Sequence, residues 1–141
     1  MEISGGGKGE ANLAPSILVE MGFVRAKVTI GNPERTKVRE IAFLTDSGSY
    51  YTVIPPSLAE ELGIKPLARR KLRVADKREI GVDISVALVE VLGREVPIFV
   101  AIMDTPEPLL GAETLETLGL TIDLATGKLK PSRPYDADYL I

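Results

Sequence analysis

The chain has 141 residues, a hydrophobic fraction of 45% and a formal net charge of −3. That size and apolar content suit one globular domain with its own core, and the slight acidity leaves no electrostatic footprint for nucleic acid. Cysteine and histidine are both absent, which removes Ser-His and Cys-His nucleophiles and zinc sites with nitrogen or sulfur ligands. Acid–base chemistry is left to Asp, Glu, Lys and Tyr. Apolar runs stay short of the roughly 18 residues that suggest a membrane span. The start, Met1-Glu2-Ile3-Ser4, lacks the basic and apolar regions of a signal peptide. A soluble, cytoplasmic protein with no membrane or nucleic-acid partner is the expectation.

Residues 1–15 carry Gly5-Gly6-Gly7 and Gly9 with little to bury, and they read as a flexible Gly-rich arm. The domain is expected over residues 16–130. Ile17-Leu18-Val19 is strand-like, and Val24, Ala26, Val28 and Ile30 then alternate with Arg25, Lys27 and Thr29, the period of a half-buried strand. Gly31-Asn32-Pro33-Glu34 is a turn. A second strand follows from position 38 and ends in Thr45-Asp46-Ser47-Gly48-Ser49, before a further apolar run at Thr52-Val53-Ile54. A carboxylate at the tip of a buried strand is costly unless it is hydrogen-bonded or used. Gly48 permits a sharp turn and a close approach of another backbone or a substrate there, and Thr45 and Ser47 supply hydroxyls beside the carboxylate. On its own, Asp-Ser-Gly is also ordinary turn composition.

Beyond it, Ser57 with Glu60 reads as the cap of a short helix that Gly63 ends. Arg69-Arg70-Lys71 with Arg73 is read as a solvated basic face. Two strand-like runs flank Asp76-Lys77-Arg78 and predict a β-hairpin with a polar tip. The chain alternates again from Ile84 to Leu92, turns at Gly93-Arg94, and returns as an apolar strand over positions 96–103. Thr105-Pro106-Glu107-Pro108 breaks the sheet before Leu109-Leu110-Gly111. A helix is predicted from Ala112 to Leu118, with Leu115 and Leu118 inward and Gly119 as its stop. A last hairpin turns at Ala125-Thr126-Gly127, and residues 131–141 read as a loosely held tail. Many short strands with two short helices predict a mainly β, small closed barrel-like domain.

Three features in this order give the chain its resemblance. The Thr45-to-Ser49 loop, the hairpin some thirty residues on, and Thr105-Pro106-Glu107-Pro108-Leu109-Leu110-Gly111 before a helix together resemble the single-domain, retroviral-like (retropepsin-like) aspartic proteases. The likeness spans most of the chain. It implies an aspartic endopeptidase without metal or cofactor, with Asp46 catalytic and Thr45, Ser47 and Gly48 supporting its loop. Asp104-Thr105-Pro106 lacks the glycine of a second motif, so the resemblance implies a two-fold homodimer in which each chain gives one carboxyl. It also implies a polypeptide substrate lying beside Ser49, Tyr50, Tyr51, Val53, Ile98 and Leu109. The hairpin residues Val74, Ala75, Asp76, Lys77 and Ile80 would close over that substrate.

Viral relatives carry an acidic residue and an arginine where this chain has Tyr50 and Ala112, so that ion pair is missing and a different dimer interface is expected. Asp123 is read as lying at a strand end near the last turn, Glu113 and Glu116 as a solvated helix face, and Tyr50-Tyr51 as cleft wall or interface packing. The alternative reading is a non-catalytic dimerisation or protein-binding module of the same fold.

Overall fold

The computed structural model describes residues 24–73 and 76–135. The N-terminal arm, the strand expected at Ile17-Leu18-Val19, Val74, Ala75 and the tail beyond Tyr135 lie outside the described residues. Strand β1 (Val24–Gly31) buries Val24, Val28 and Ile30 on its inward side, as its period of two requires. The turn to β2 (Val38–Asp46) is organised by Asn32, only 5% exposed. Its Oδ1 accepts the Thr36 N–H at 2.9 Å, and its Nδ2 donates to Thr36 Oγ1 at 2.7 Å. The buried amide is thereby satisfied locally.

After β3 (Thr52–Ile54) comes α1 (Pro56–Leu62), which buries Leu58, Ala59 and Leu62 and stops at Gly63 with φ 71°. Ser57 is not its cap. Pro55 holds that position without a side-chain bond, and Pro56 opens the helix, because proline lacks the N–H that would be orphaned in the first turn. Strand β4 (Ala68–Arg73) and the long β5 (Glu79–Val91) form the expected hairpin, in register from Ala68↔Ile84 to Arg73↔Glu79. The basic face of β4 is exposed, and Arg69 pairs with Asp83 at 2.8 Å.

Strand β6 (Arg94–Ile102) follows a two-residue turn at Leu92-Gly93, one residue earlier than the sequence suggests. Both turn residues have positive φ, 53° and 79°, the combination that matches the strand twist in a tight hairpin. Arg94 is thereby freed to donate from Nη1 to the carbonyls of Leu118 and Gly119, each at 2.9 Å. Strand β7 (Leu109–Gly111) leads into α2 (Ala112–Leu118), and β8 (Leu120–Asp123) pairs with β9 (Lys128–Pro131) as a separate hairpin. The chain after β9 is held rather than loose as far as Tyr135. Ser132 N–H donates to Gly119 O at 2.8 Å, and the Tyr135 hydroxyl donates to the Glu95 carbonyl.

The main sheet runs β1-β2-β7-β3-β6-β5, and a β1–β5 pairing closes it into a six-stranded barrel. Phe43, Ile54, Val89, Val100 and Leu110 fill it, with Leu58 and Leu62 of α1 and Leu115 and Leu118 of α2 against the same core. Each such side chain contributes about 1.5–3 kcal/mol on burial. The first half of β5 leaves the barrel and carries β4 with it. A second, smaller cluster of Val53, Val82, Ile84 and Ala101, with Leu72, Ile80, Met103 and Leu109 packed on it, ties this hairpin to the barrel. Among the described residues, no helix is long and apolar enough to cross a membrane.

Candidate active site

Asp46 is the last residue of β2, and its neighbours are fixed by a short parallel pairing with β7: Leu44↔Leu109, Thr45↔Leu110 and Asp46↔Gly111. Successive strand residues point to opposite faces, so Thr45 and Asp46 diverge. Thr45 is 2% exposed and donates from Oγ1 to the Val24 carbonyl at 2.5 Å. The Thr45 hydroxyl therefore does not lie beside the carboxylate; it pins the end of β2 to β1. The half-buried Asp46 accepts the Gly48 N–H on Oδ1 at 2.9 Å, and its carbonyl accepts the Ser49 N–H at 3.1 Å. Ser47 and Gly48 are exposed at the bend.

The connection from β2 to β3 is bound to α2 through backbone. Ser49 O accepts the Ala112 N–H at 2.6 Å, and Tyr50 O accepts the Glu113 N–H at 3.2 Å. These are donors that a helix start cannot satisfy internally, and α2 has no side-chain cap. The crossing is so close that a Cβ on Gly111 would lie 2.3 Å from Tyr51 O and 2.8 Å from Tyr50 O. Beneath it, Thr52 Oγ1 accepts the Gly111 N–H at 3.0 Å and shares a hydrogen bond with Thr114 Oγ1 at 2.7 Å. Both threonines are buried. The sequence reading overlooked this pair. Its signal was a hydroxyl residue at an inward position in each of two apolar segments.

A cleft of about 630 Å³ opens on one side of Asp46. Ser49, Tyr50, Tyr51, Val53 and Leu109 line it, together with Leu72 and Arg73 of β4 and Met103, Asp104 and Thr105 after β6. Ile80 packs on the apolar cluster at the base of the hairpin. Asp76 and Lys77 are exposed at its tip, where Asp76 Oδ1 accepts the Arg78 N–H at 3.0 Å and Lys77 has φ 69°. Ile98 is not in the cleft. It is 7% exposed and belongs to the barrel core, opposite Ala87 in the β5–β6 ladder.

On the other side of Asp46 a groove of about 760 Å³ runs past Ser47 between α2 and β8, over Leu115, Leu120, Ile122 and Leu124. Tyr50 and Tyr51 meet edge to face at 5.1 Å. The Tyr50 hydroxyl donates to Glu113 Oε2 at 3.0 Å, and this bond to a carboxylate raises the phenol above its usual pKa. Glu113 is therefore a partner of the loop rather than part of a solvated face; Glu116 is exposed. Asp123 ends β8 and accepts the Ala125 N–H at 3.0 Å.

The loop after β6 forms the outer wall of the cleft. Arg25 of β1 clamps it with two bonds to Glu107, at 2.9 and 2.8 Å, and holds that carboxyl below its usual range. Asp46 at its strand end and Leu72 and Arg73 of the hairpin strand β4 thus border one cleft.

A search of curated proteins gave no match. The aspartyl protease family model, however, matches residues 26–114. That stretch runs from β1 through the Asp46 loop, the hairpin and the Leu109-Leu110-Gly111 strand into α2. The fold, the ordered motifs and this match converge: the chain belongs to the retropepsin-like aspartyl protease family.

Proposed function

We propose that the protein is an aspartic endopeptidase that works as a two-fold homodimer, each copy contributing Asp46 to one active site. The observation that carries this reading is the placement of Asp46. Its carboxylate stands half-buried at the head of the cleft, with Oδ1 held by the Gly48 N–H. Peptide hydrolysis by carboxyl groups needs one ionised carboxylate to activate water and one carboxylic acid to protonate the carbonyl oxygen. Two carboxyls brought close share one proton, because both cannot ionise at that distance. One chain offers a single Asp-Ser-Gly, so the second carboxyl comes from a second copy across the two-fold axis. Ser47, exposed beside Asp46, would face the second copy in such a dimer. The substrate is an extended polypeptide that lies along the cleft by main-chain pairing, with the β4–β5 hairpin closed over it.

The test is cleavage of an unfolded protein by wild type and by Asp46→Asn, from about pH 3 to about pH 7, where a carboxyl pair changes its proton count. Cleavage by wild type alone is the expected result. Cleavage by both proteins, or by neither, would sink the assignment, and neither would leave the protein-binding reading in its place. Sedimentation showing only monomer at working concentration would remove the dimer.

A further inference from the structure

Among the described residues, Asp104 is the one cleft-lining carboxylate besides Asp46, and the chemistry proposed above does not use it. We propose that Asp104 makes the cleft selective for substrates that carry a lysine or arginine side chain beside the scissile bond. The inference rests on the protease reading and adds its substrate class.

Asp104 is exposed to the cleft, and among the described residues no hydrogen bond or ion pair engages its carboxylate. The other cleft charge, Arg73 on the opposite wall, leans toward Glu79, with Nη2 and Oε2 3.6 Å apart. A charge left free on the wall of a binding cleft is a ready partner for a ligand charge.

The segment that presents it is anchored on both sides. Met103 N–H donates to Ile54 O at 3.1 Å, and Leu44 N–H donates to Pro108 O at 2.9 Å. Thr105 Oγ1 donates to Glu107 O at 2.7 Å, and Arg25 holds the Glu107 carboxylate. The carboxylate is therefore offered from a fixed wall, which lowers the ordering cost of engaging it.

The surface leading to it is apolar: Val53, Leu72, Met103 and Leu109 border the same space. A long aliphatic stem ending in a cation fits this sequence of surfaces, with its methylenes along the apolar wall and its charge at the rim. A purely apolar side chain would leave Asp104 without a partner, and an acidic one would be repelled by it.

The experiment uses peptides with an apolar centre in which one residue beside the scissile bond is lysine, its uncharged analogue norleucine, or glutamate. Wild type should favour lysine over norleucine by about five- to ten-fold in kcat/KM. Asp104→Asn should lose the preference, cleaving the lysine and norleucine peptides with similar kcat/KM, and Asp104→Lys should turn it toward glutamate. Thermal unfolding of both variants confirms that they are folded.

Equal cleavage of all three peptides by wild type overturns the proposal. A wild-type preference for glutamate does too, since it would give the decision to Arg73. Loss of all cleavage in a folded Asp104→Asn also overturns it, because that carboxylate would then belong to the chemistry. If wild type cleaves no peptide at all, the protease reading fails separately. Fluorescence anisotropy of the same labelled peptides then decides: lysine-selective binding that Asp104→Asn abolishes upholds the selectivity, and equal binding ends it.

Discussion

Gly111→Ala tests how the site is assembled. The added methyl would sit 2.3 Å from Tyr51 O, 2.5 Å from Tyr51 C and 2.8 Å from Tyr50 O, closer than nonbonded atoms come. Backbone cannot swing aside as a side-chain tip can, so the loop and β7 must part. Overpacking of this kind costs about 1–3 kcal/mol. Separation also weakens the Ala112-to-Ser49 and Glu113-to-Tyr50 bonds, each worth about 0.5–1.5 kcal/mol. The sum, about 2–6 kcal/mol, is a large share of the roughly 5–15 kcal/mol typical of a domain. Urea unfolding should show a lower midpoint at unchanged slope. Proteolytic activity should fall further than stability, since Asp46 pairs directly with Gly111. Gly81→Ala is the control: the atoms nearest its Cβ would be the guanidinium end of Arg69, at 3.2 Å, a flexible tip that can move. A loss below about 1 kcal/mol in Gly111→Ala, or equal losses at both sites, would refute the reasoning.

Three further outcomes follow from the same geometry. Thr52→Val leaves the Gly111 N–H and the Thr114 hydroxyl without their partner; it should cost about 1–3 kcal/mol, exceed Thr114→Val, and be non-additive with it in a double-mutant cycle. Because Arg25 depresses the Glu107 pKa, their pair stabilises above the unfolded-state value of about 4.3 and is lost as pH falls through the lower folded value. Glu107→Gln should therefore be less stable than wild type at neutral pH, modestly and salt-dependently, with a melting-temperature gap that closes on acidification; a widening gap would contradict the pairing. Ile98→Val should cost about 0.5–1.5 kcal/mol in unfolding free energy and leave peptide selectivity unchanged, whereas Leu109→Ala should change KM for apolar peptides.

The features legible in the sequence were those set by local chemistry. Alternation in β1, the polar hairpin tip and the glycine stops at Gly63 and Gly119 each depend on a few adjacent residues, and the structure places them accordingly. The span of α2 followed from its leucine spacing and the glycine on either side. Ile98 shows where this reasoning ends. A period of two says that Ile98 points inward, and in a closed barrel the inward side is core along most of β6. Only past Val100, where β3 pairs with β6, does the strand reach the second apolar cluster and the cleft. Which part of a strand faces which cluster depends on barrel closure, and closure is a long-range pairing. Arg73 reads in the sequence as part of a solvated basic face and Asp104 as a motif copy without its glycine; their place in one cleft was missed for the same reason, since that cleft exists only once β4 is set beside the end of β6.

The site itself depends on backbone more than on side chains, and this explains why its motif is short. Asp46 is fixed by the Gly48 N–H, by the pairing of its strand with β7, and by a loop whose carbonyls are already used by the start of α2. Two glycines and one buried threonine pair suffice for that. The side chains of Ser49, Tyr50 and Tyr51 are then free of positioning duty at the carboxylate, and they can vary to shape the cleft. Tyr50 illustrates this freedom: where viral relatives use a charged pair, here its hydroxyl reaches Glu113 from the outside of the same backbone crossing. A carboxylate held by backbone alone needs no partner to be in place. In the proposed dimer the second copy would add the second carboxyl, and with it the shared proton on which the proposed chemistry turns.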